Sequence, residues 1–204
     1  MPILNSYLSG LGVRWLRGWP WRAWRSVGRL AATLGLLLAV GQGICGEASF
    51  TEYQVKALFL FNFAKYVEWP AEAFASTTSP IVIGVVGDNK FGDQLKKAVD
   101  GKSIGGRPLL FRQIEKDDEM AGCHIVFVSA SETKRLPDIL ERLKAKPVLT
   151  VSEIERFVEQ GGVIGFVKRQ DRIRLEIDLD AAQRARLQLS SKLLSVADTV
   201  RGKR

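Results

Sequence analysis

The sequence predicts an α/β fold, a layered sandwich with a mixed sheet flanked by helices and a C-terminal β-hairpin. Three observations carry that prediction. The runs IVIGVVG (81–87), HIVFVSA (124–130) and KPVLTVS (146–152) are apolar and rich in β-branched residues, as strands buried on both faces are. Each is followed by a segment with helical spacing, the alternation that lays helices against a largely parallel sheet. Near the end, GVIGFVKRQDRIRLEIDL (162–179) breaks that rhythm with two strands about a short polar turn, Arg169 to Asp171.

Taken in order, Thr51 to about Glu68 reads as a helix, with Thr51 placed to cap it and Pro70 just beyond its end. Its centre, ALFLFNFA (57–64), carries apolar side chains in every direction on a helical wheel, interrupted by Asn62 alone. Such a helix is expected to be buried on all sides, with Asn62 needing an internal hydrogen-bond partner and Trp69-Pro70 closing its end. The segment is too short to span a membrane, and a base-stacking platform would need more basic residues among the rings than Lys56 and Lys65. After the strand at 81–87, NKFGDQLKKAV (89–99) reads as a helix, and GKSIGGRPLLFRQI (101–114) turns through Gly105 and Gly106 into a second strand. The third strand leads into a helix from about Glu132 to Lys144. KPVLTVS is followed by a short helix, EIERFVEQ (153–160), stopped by Gly161 and Gly162 in the manner of a glycine C-cap. In the hairpin, Ile173, Leu175, Ile177 and Leu179 face one way and Arg172, Arg174, Glu176 and Asp178 the other. Two helical pieces finish the chain, from Asp180 and from about Ser191, the latter aligning Leu193, Val196, Ala197 and Val200 on one stripe.

The first 48 residues read as a cleaved signal peptide with a long n-region. Arg14, Arg17, Arg22, Arg25 and Arg29 precede LAATLGLLLAV (30–40), with no acid before or within that run. An apolar run of this length falls well short of the ~20 residues that cross a bilayer. Small residues at Gly46 and Ala48 set the expected cut after Ala48, which makes the periplasm the expected compartment. One domain is then expected over 49–200, with a frayed basic tail at 201–204. Cleavage removes five Arg and Glu47, so the +8 of the whole chain falls to +4, with 25 basic and 21 acidic residues interleaved. That pattern lacks the dense basic patch of a nucleic-acid binder. Cys123 is the one cysteine left, so no intramolecular disulfide is available; it is either a free buried thiol or an intermolecular bridge.

Three features bear on chemistry. His124, the only histidine, adjoins Cys123, but neighbours on a strand point to opposite faces and do not readily share a proton. The turn GVVGDNKFG (84–92) follows a strand and precedes a helix, yet it lacks the spacing of dinucleotide or P-loop motifs, and Asp88 suits a helix cap better than a phosphate. The acid pairs Glu176 with Asp178 and Asp117 with Asp118 lie among Lys and Arg and read as solvated. Spacing therefore yields no catalytic residue, no metal set and no cofactor.

In order along the chain, VKALFLFNFAKYVEWP (55–70), GVVGDNKFG (84–92), CHIVFVS (123–129), VLTVSEIERFVEQGGVIGFV (148–167) and LEIDLDAAQRARLQLSSKLL (175–194) together resemble the YfiR family of periplasmic regulators. The resemblance runs from about Glu52 to Ala197, and its order is more specific than any one motif. It marks Phe59, Asn62, Phe63, Tyr66, Trp69, Pro70, Gly161, Gly162, Leu193 and Leu194 as motif residues. It implies a dimeric α/β protein that binds the periplasmic part of a YfiN-type diguanylate cyclase in the inner membrane, holds it inactive and lowers cyclic di-GMP. It further implies that a YfiB-type outer-membrane lipoprotein can sequester the inhibitor. Two departures stand out: Cys123 has no partner for the disulfides some members carry, and Asp178 stands where the family often has Asn. The charged strand face of Arg172, Arg174 and Glu176 is the expected partner surface. The alternative is a small-ligand binder or adaptor for a sensor kinase or transporter, using the crevice near Gly87 to Asn89.

Overall fold

The computed structural model of the chain describes residues 51–202. The predicted leader and the cleavage position lie outside them, as do Lys203 and Arg204.

Helix α1, Glu52–Tyr66, opens with a reciprocal capping box: the Gln54 N–H donates to Thr51 Oγ1 at 3.3 Å, and the Thr51 N–H donates to Gln54 Oε1 at 2.7 Å. It ends two residues short of the expected Glu68, because Val67–Glu68 forms a short strand, β1, paired antiparallel with β9, Gln188–Leu189.

The main sheet centres on β2 (Ile81–Val86), buried at every position as its unbroken apolar run predicts. β2 pairs in parallel with β4 (Arg107–Ile114) on one side and with β5 (Ile125–Val128) on the other; β6 (Leu149–Ser152) and β7 (Ile164–Arg169) extend the parallel set. β3 (Ser103–Ile104) folds back antiparallel on β4 through Gly105 and Gly106. At the other end β8 (Arg172–Asp178) pairs antiparallel with β7, and β10 (Thr199–Arg201) pairs in parallel with β8. The order is β10-β8-β7-β6-β5-β2-β4-β3, a mixed sheet ending in the expected hairpin. Arg169 sits opposite Arg172, and Gln170 and Asp171 between them both have positive φ, 49° and 57°, the signature of a two-residue turn matched to strand twist.

Helices cover both faces. α1, α2 (Gln94–Val99), α4 (Leu179–Arg184) and α5 (Ser191–Ser195) contribute to a core with Ile83, Val85, Phe127, Val151, Ile164 and Phe166. On the opposite face, α3 (Leu136–Leu143) and Met120 of a 3-10 turn pack on Val82, Val86, Val126 and Val128. Alternation along β2 splits neighbouring side chains between these two cores.

Several local expectations are corrected. The segment 89–99 is helical only from Gln94, because Gly92 takes φ 52° and interrupts it. Asp88 caps nothing; Asn89 Oδ1 accepts the Phe91 N–H at 3.1 Å in its place. EIERFVEQ forms consecutive turns and no helix: Arg156 sits at φ 57°, and Ile154, Phe157 and Val158 are drawn into the core from an irregular backbone. Its glycine stop is nevertheless built. Gly161 takes φ 103°, its N–H reaches the Val158 carbonyl at 3.2 Å, and the Gly162 N–H reaches the Phe157 carbonyl at 3.1 Å, the paired bonds of a Schellman cap. The C-terminal stripe is also not one helix. α5 stops at Ser195, and Thr199–Arg201 becomes the edge strand β10, leaving Val196 and Val200 56% and 41% exposed. Arg201, placed in a frayed tail by the sequence, lies in that strand 3.3 Å from Glu159. The free backbone edge of β8 wins over helical periodicity here: the Asp198 N–H already donates to the Leu175 carbonyl at 2.8 Å.

Gly162 is required by proximity. A β-carbon there would stand 2.1 Å from Cε1 of Phe157, a ring that is 1% exposed and has no room to withdraw. Gly162→Ala is expected to cost about 1–3 kcal/mol in urea unfolding. Gly122→Ala, with nothing within 4 Å of its new carbon, is expected to stay within about 0.5 kcal/mol of wild type.

Candidate docking surface

Only part of α1 is spent on the core. Lys56, Ala57, Leu60, Phe63 and Ala64 are buried and fall on one arc of the helix, as a 100° step per residue requires. The opposite arc carries Leu58, 44% exposed, with Val55, Phe59, Asn62 and Tyr66 half-buried around it. The expectation of a helix buried all round is therefore corrected. Asn62 sits on this outer arc at the edge of solvent, where it needs no internal partner.

Beside that arc runs a groove of about 550 Å³ between α1, β8 and α5. Phe59, Phe63, Tyr66, Ile173, Leu193 and Val196 give it an apolar lining, and Arg174 and Lys192 border it with no acid among the lining residues. Phe63 stacks on Phe166 with centroids 6.0 Å apart, and Phe59 lies 5.9 Å from the same ring, so the aromatic floor is anchored on the sheet. β10 covers only the Glu176–Asp178 end of β8, and the Arg172–Arg174 end is left beside the groove.

The sequence-predicted surface residues separate here. Arg174 borders the groove, while Arg172 is exposed at the hairpin end of the same strand. Glu176 is held by Arg169 at 3.0 Å and is only 20% exposed at its side chain, so it is committed within the protein. Of the motif residues, Phe59, Asn62, Phe63, Tyr66 and Leu193 meet at the groove, and Leu194 packs partly buried against the core. Asp178 caps α4, its Oδ1 accepting the Ala181 N–H at 2.7 Å, a role that aspartate and asparagine fill alike. Sequence reasoning missed Leu58, Val196 and Lys192. A partial signal existed in Leu58, since a short helix with apolar residues on every face cannot hide all of them against a single sheet.

A second recess, of about 280 Å³, opens where the N-terminal turn of α1 meets the carboxyl ends of the strands. Lys56, 2% exposed, bonds to both Glu52 and Glu153, and the Tyr53 hydroxyl donates to both Glu153 oxygens at 2.9 Å. Burial pulls the Glu153 carboxyl upward, but Lys56, Tyr53 and Lys90 outweigh it and hold the group below the usual carboxylate range. Burial, and then the bond to Glu153, push the Tyr53 hydroxyl above its ordinary value. This network ties α1 to the end of β6. The neighbouring crevice at Gly87 to Asn89 is filled: the Asp88 N–H donates to Ser131 Oγ at 3.0 Å, and a β-carbon on Gly87 would stand 2.4 Å from that oxygen.

Trp69, Pro70, Cys123 and His124 serve the opposite end of the sheet. The Trp69 indole N–H donates to the His124 carbonyl at 3.1 Å, Phe74 stacks on the imidazole at 4.5 Å, and the Arg107 guanidinium lies 3.7 Å from the other side of that stack, over the Phe74 ring. Pro70 starts the 3-10 turn Ala71–Ala73 that carries Phe74 there. His124 Nδ1 accepts the Val82 N–H at 3.2 Å, which places the ring proton of the neutral form on Nε2. Cys123 is a free thiol 3% exposed, packed where Gly84 leaves room, and burial pushes its pKa up to about 11. It points into the core opposite to His124, so the two form no nucleophile and base pair. Among the described residues no group of three or more His, Cys, Asp or Glu is arranged to hold a metal ion. No helix among them is long and apolar enough to cross a membrane.

The architecture is a sheet packed on both faces, with one helix offering an apolar surface outward. Residues 53–198 match the sequence profile of the YfiR/HmsC-like family, and the chain belongs to that family. The family's description, YfiR/HmsC-like, points to regulators of cyclic di-GMP signalling. No curated protein matches it. Among solved structures, a conserved domain protein from Vibrio cholerae O1 biovar El Tor is 10% identical with a TM-score of 0.48, over 74% of this chain and 61% of that one. An ABC domain from Streptococcus pneumonia in complex with L-Trp is 13% identical with a TM-score of 0.46, over 71% of this chain and 60% of that one. The chain thus spans about three fifths of the length of each.

Burial depresses the pKa of His124; the Ala73 carbonyl opposes this, falling short of a hydrogen bond, and the charge of Arg107 adds to it. Unfolded, the group titrates near 6.5. Between that value and the lower folded one, the unfolded chain holds a proton the folded chain lacks. Stability is therefore complete above about pH 6.5 and declines as pH falls through that window, with a slope approaching about 1.4 kcal/mol per pH unit. Urea midpoints taken between pH 7.5 and 5.5 are expected to show this decline, and His124→Asn, which keeps an acceptor for the Val82 N–H, is expected to flatten it.

Proposed function

We propose that this protein is exported to the periplasm, where it docks through the outer arc of α1 and the adjoining groove onto the periplasmic part of an inner-membrane diguanylate cyclase or related sensor, and represses it. The observation that carries this reading is the exposed apolar arc about Leu58 beside a groove bordered by Arg174 and Lys192, on a chain of the YfiR/HmsC-like family. Isolated exposed apolar residues are ordinary on protein surfaces, but an apolar helix face continuous with a lined groove marks a contact site. Repression follows if the docked protein binds the inactive state of the sensor better than the active one. Moving that equilibrium from 1:99 to 99:1 takes about 5.5 kcal/mol of differential affinity, within reach of a modest interface. A YfiB-type lipoprotein of the outer membrane competes for the regulator in this scheme, and the regulator acts as a homodimer. Cleavage after Ala48 releases it, and biofilm formation is the downstream output.

The groove is favoured over the Gly87 crevice as the working site, because Ser131 already occupies the amide and the space that a small ligand would need there. Deleting the gene is expected to raise intracellular cyclic di-GMP, and crosslinked capture from membranes is expected to recover a cyclase or related sensor. Arg172→Glu/Arg174→Glu is expected to weaken that capture at least tenfold. Unchanged cyclic di-GMP on deletion would refute repression of a cyclase, and capture indifferent to the charge reversal would remove the β8 end from the interface.

A further inference from the structure

The groove between α1, β8 and α5 is chemically lopsided. Its apolar lining is bordered by two cations, Arg174 and Lys192, and by no acid. Nor do nearby acids neutralise those cations. Arg169 takes both Glu176, at 3.0 Å, and Asp198, at 3.2 Å, while Lys168 lies 3.9 Å from Glu52 and 3.4 Å from Asp171. Arg174 and Lys192, both exposed, form no ion pair among the described residues. The acids of this end of the sheet are spent on other residues, and a positive rim remains around an apolar floor.

We infer that the groove receives an amphipathic segment of the membrane partner that carries carboxylates beside its apolar anchors, with one carboxylate against Lys192 and one against Arg174. The inference rests on the docking role proposed above and specifies the chemistry of what docks. Apolar side chains of the segment fill the space between Phe59, Tyr66, Ile173 and Val196, where removing them from water stabilises the contact. The carboxylates set register and exclude partners with the wrong charge, since like charges brought together across an interface are repelled. The same charge argument turns away a second copy of this chain: a two-fold contact through the groove would bring two cationic rims together with no acid between them. If the chain dimerises, it does so through another face. Because the rim is exposed, its contribution weakens as salt rises.

Zero-length carbodiimide coupling joins an amine to a carboxylate only when the two are already in contact, and Lys192 supplies the amine. The full chain is expressed in its own cells with a photoreactive benzophenone side chain in place of Leu58, and is treated in parallel with carbodiimide. The benzophenone reports docking of any kind; the coupling reports an acid at the rim. The expected result is a membrane protein captured by both routes, with Lys192 joined to an Asp or Glu of that protein. The coupled product is expected to vanish in Lys192→Arg, which keeps the charge but not the reactive amine, and to fall at least tenfold in 0.5 M salt. Capture at Leu58 without Lys192 coupling overturns the acidic segment and leaves the docking role standing; absence of both overturns the two together. Coupling of Lys192 to another copy of the chain also overturns the inference. So does binding to anionic phosphatidylglycerol vesicles, dependent on Arg174 and Lys192, with no coupled protein.

Discussion

Helix α1 has to satisfy two surfaces at once, and the rest of the molecule is arranged around that constraint. Its buried arc is fixed to the sheet by Phe63 on Phe166 and by the bonds from Lys56 to Glu153 at the end of β6. Lys56 is 2% exposed and is bonded to the carboxylates of both Glu52 and Glu153, so that its head group is satisfied where water does not reach it. The ion pair thereby fixes the rotation of the helix about its own axis. With that rotation set, Leu58 cannot turn inward, and the half-buried Phe59, Asn62 and Tyr66 stay at the edge of solvent beside it.

The two ends of the sheet divide the work. At the carboxyl ends of the parallel strands, the usual place for ligands in open α/β sheets, the Gly87 turn is filled by Ser131 and the nearby recess is lined by a charge network whose members satisfy one another. At the amino ends, Trp69, Phe74, Arg107 and His124 lock the loop that follows α1. Both ends serve to hold the scaffold rigid. The open feature is lateral, where β10 stops short of the hairpin and leaves β8 beside the groove. A rigid frame with a lateral apolar groove suits recognition of a protein segment, since little conformational freedom is lost on docking.

Much of the fold was legible because its signals are local and physical. Continuous β-branched runs marked β2, β5 and β6, and the strict alternation of Ile173, Leu175 and Ile177 marked β8. What escaped depended on partners distant in sequence. EIERFVEQ has helical spacing, but the sheet recruits Ile154, Phe157 and Val158 from a turn. Val200 fits a helical stripe, but an unpaired strand edge on β8 claims its backbone. For the candidate site, Arg174 and the aromatic motif were legible from sequence, whereas their meeting in one groove was not. That juxtaposition joins residues 59–66 to residues 173–174 and 192–196 through tertiary packing alone. Glu176 was placed on the partner surface because alternation gives a direction and not a neighbour; Arg169 is that neighbour.

The central claim is that the outward arc of α1 is a working surface, since folding alone leaves it unpartnered. The most direct measurement is intracellular cyclic di-GMP in cells lacking the gene and supplied with either the wild-type chain or Leu58→Glu/Val196→Glu, two exposed positions where a charge leaves the core intact. The account predicts that the variant accumulates and melts like wild type yet fails to bring cyclic di-GMP down. A variant that restores the wild-type level in full would contradict it.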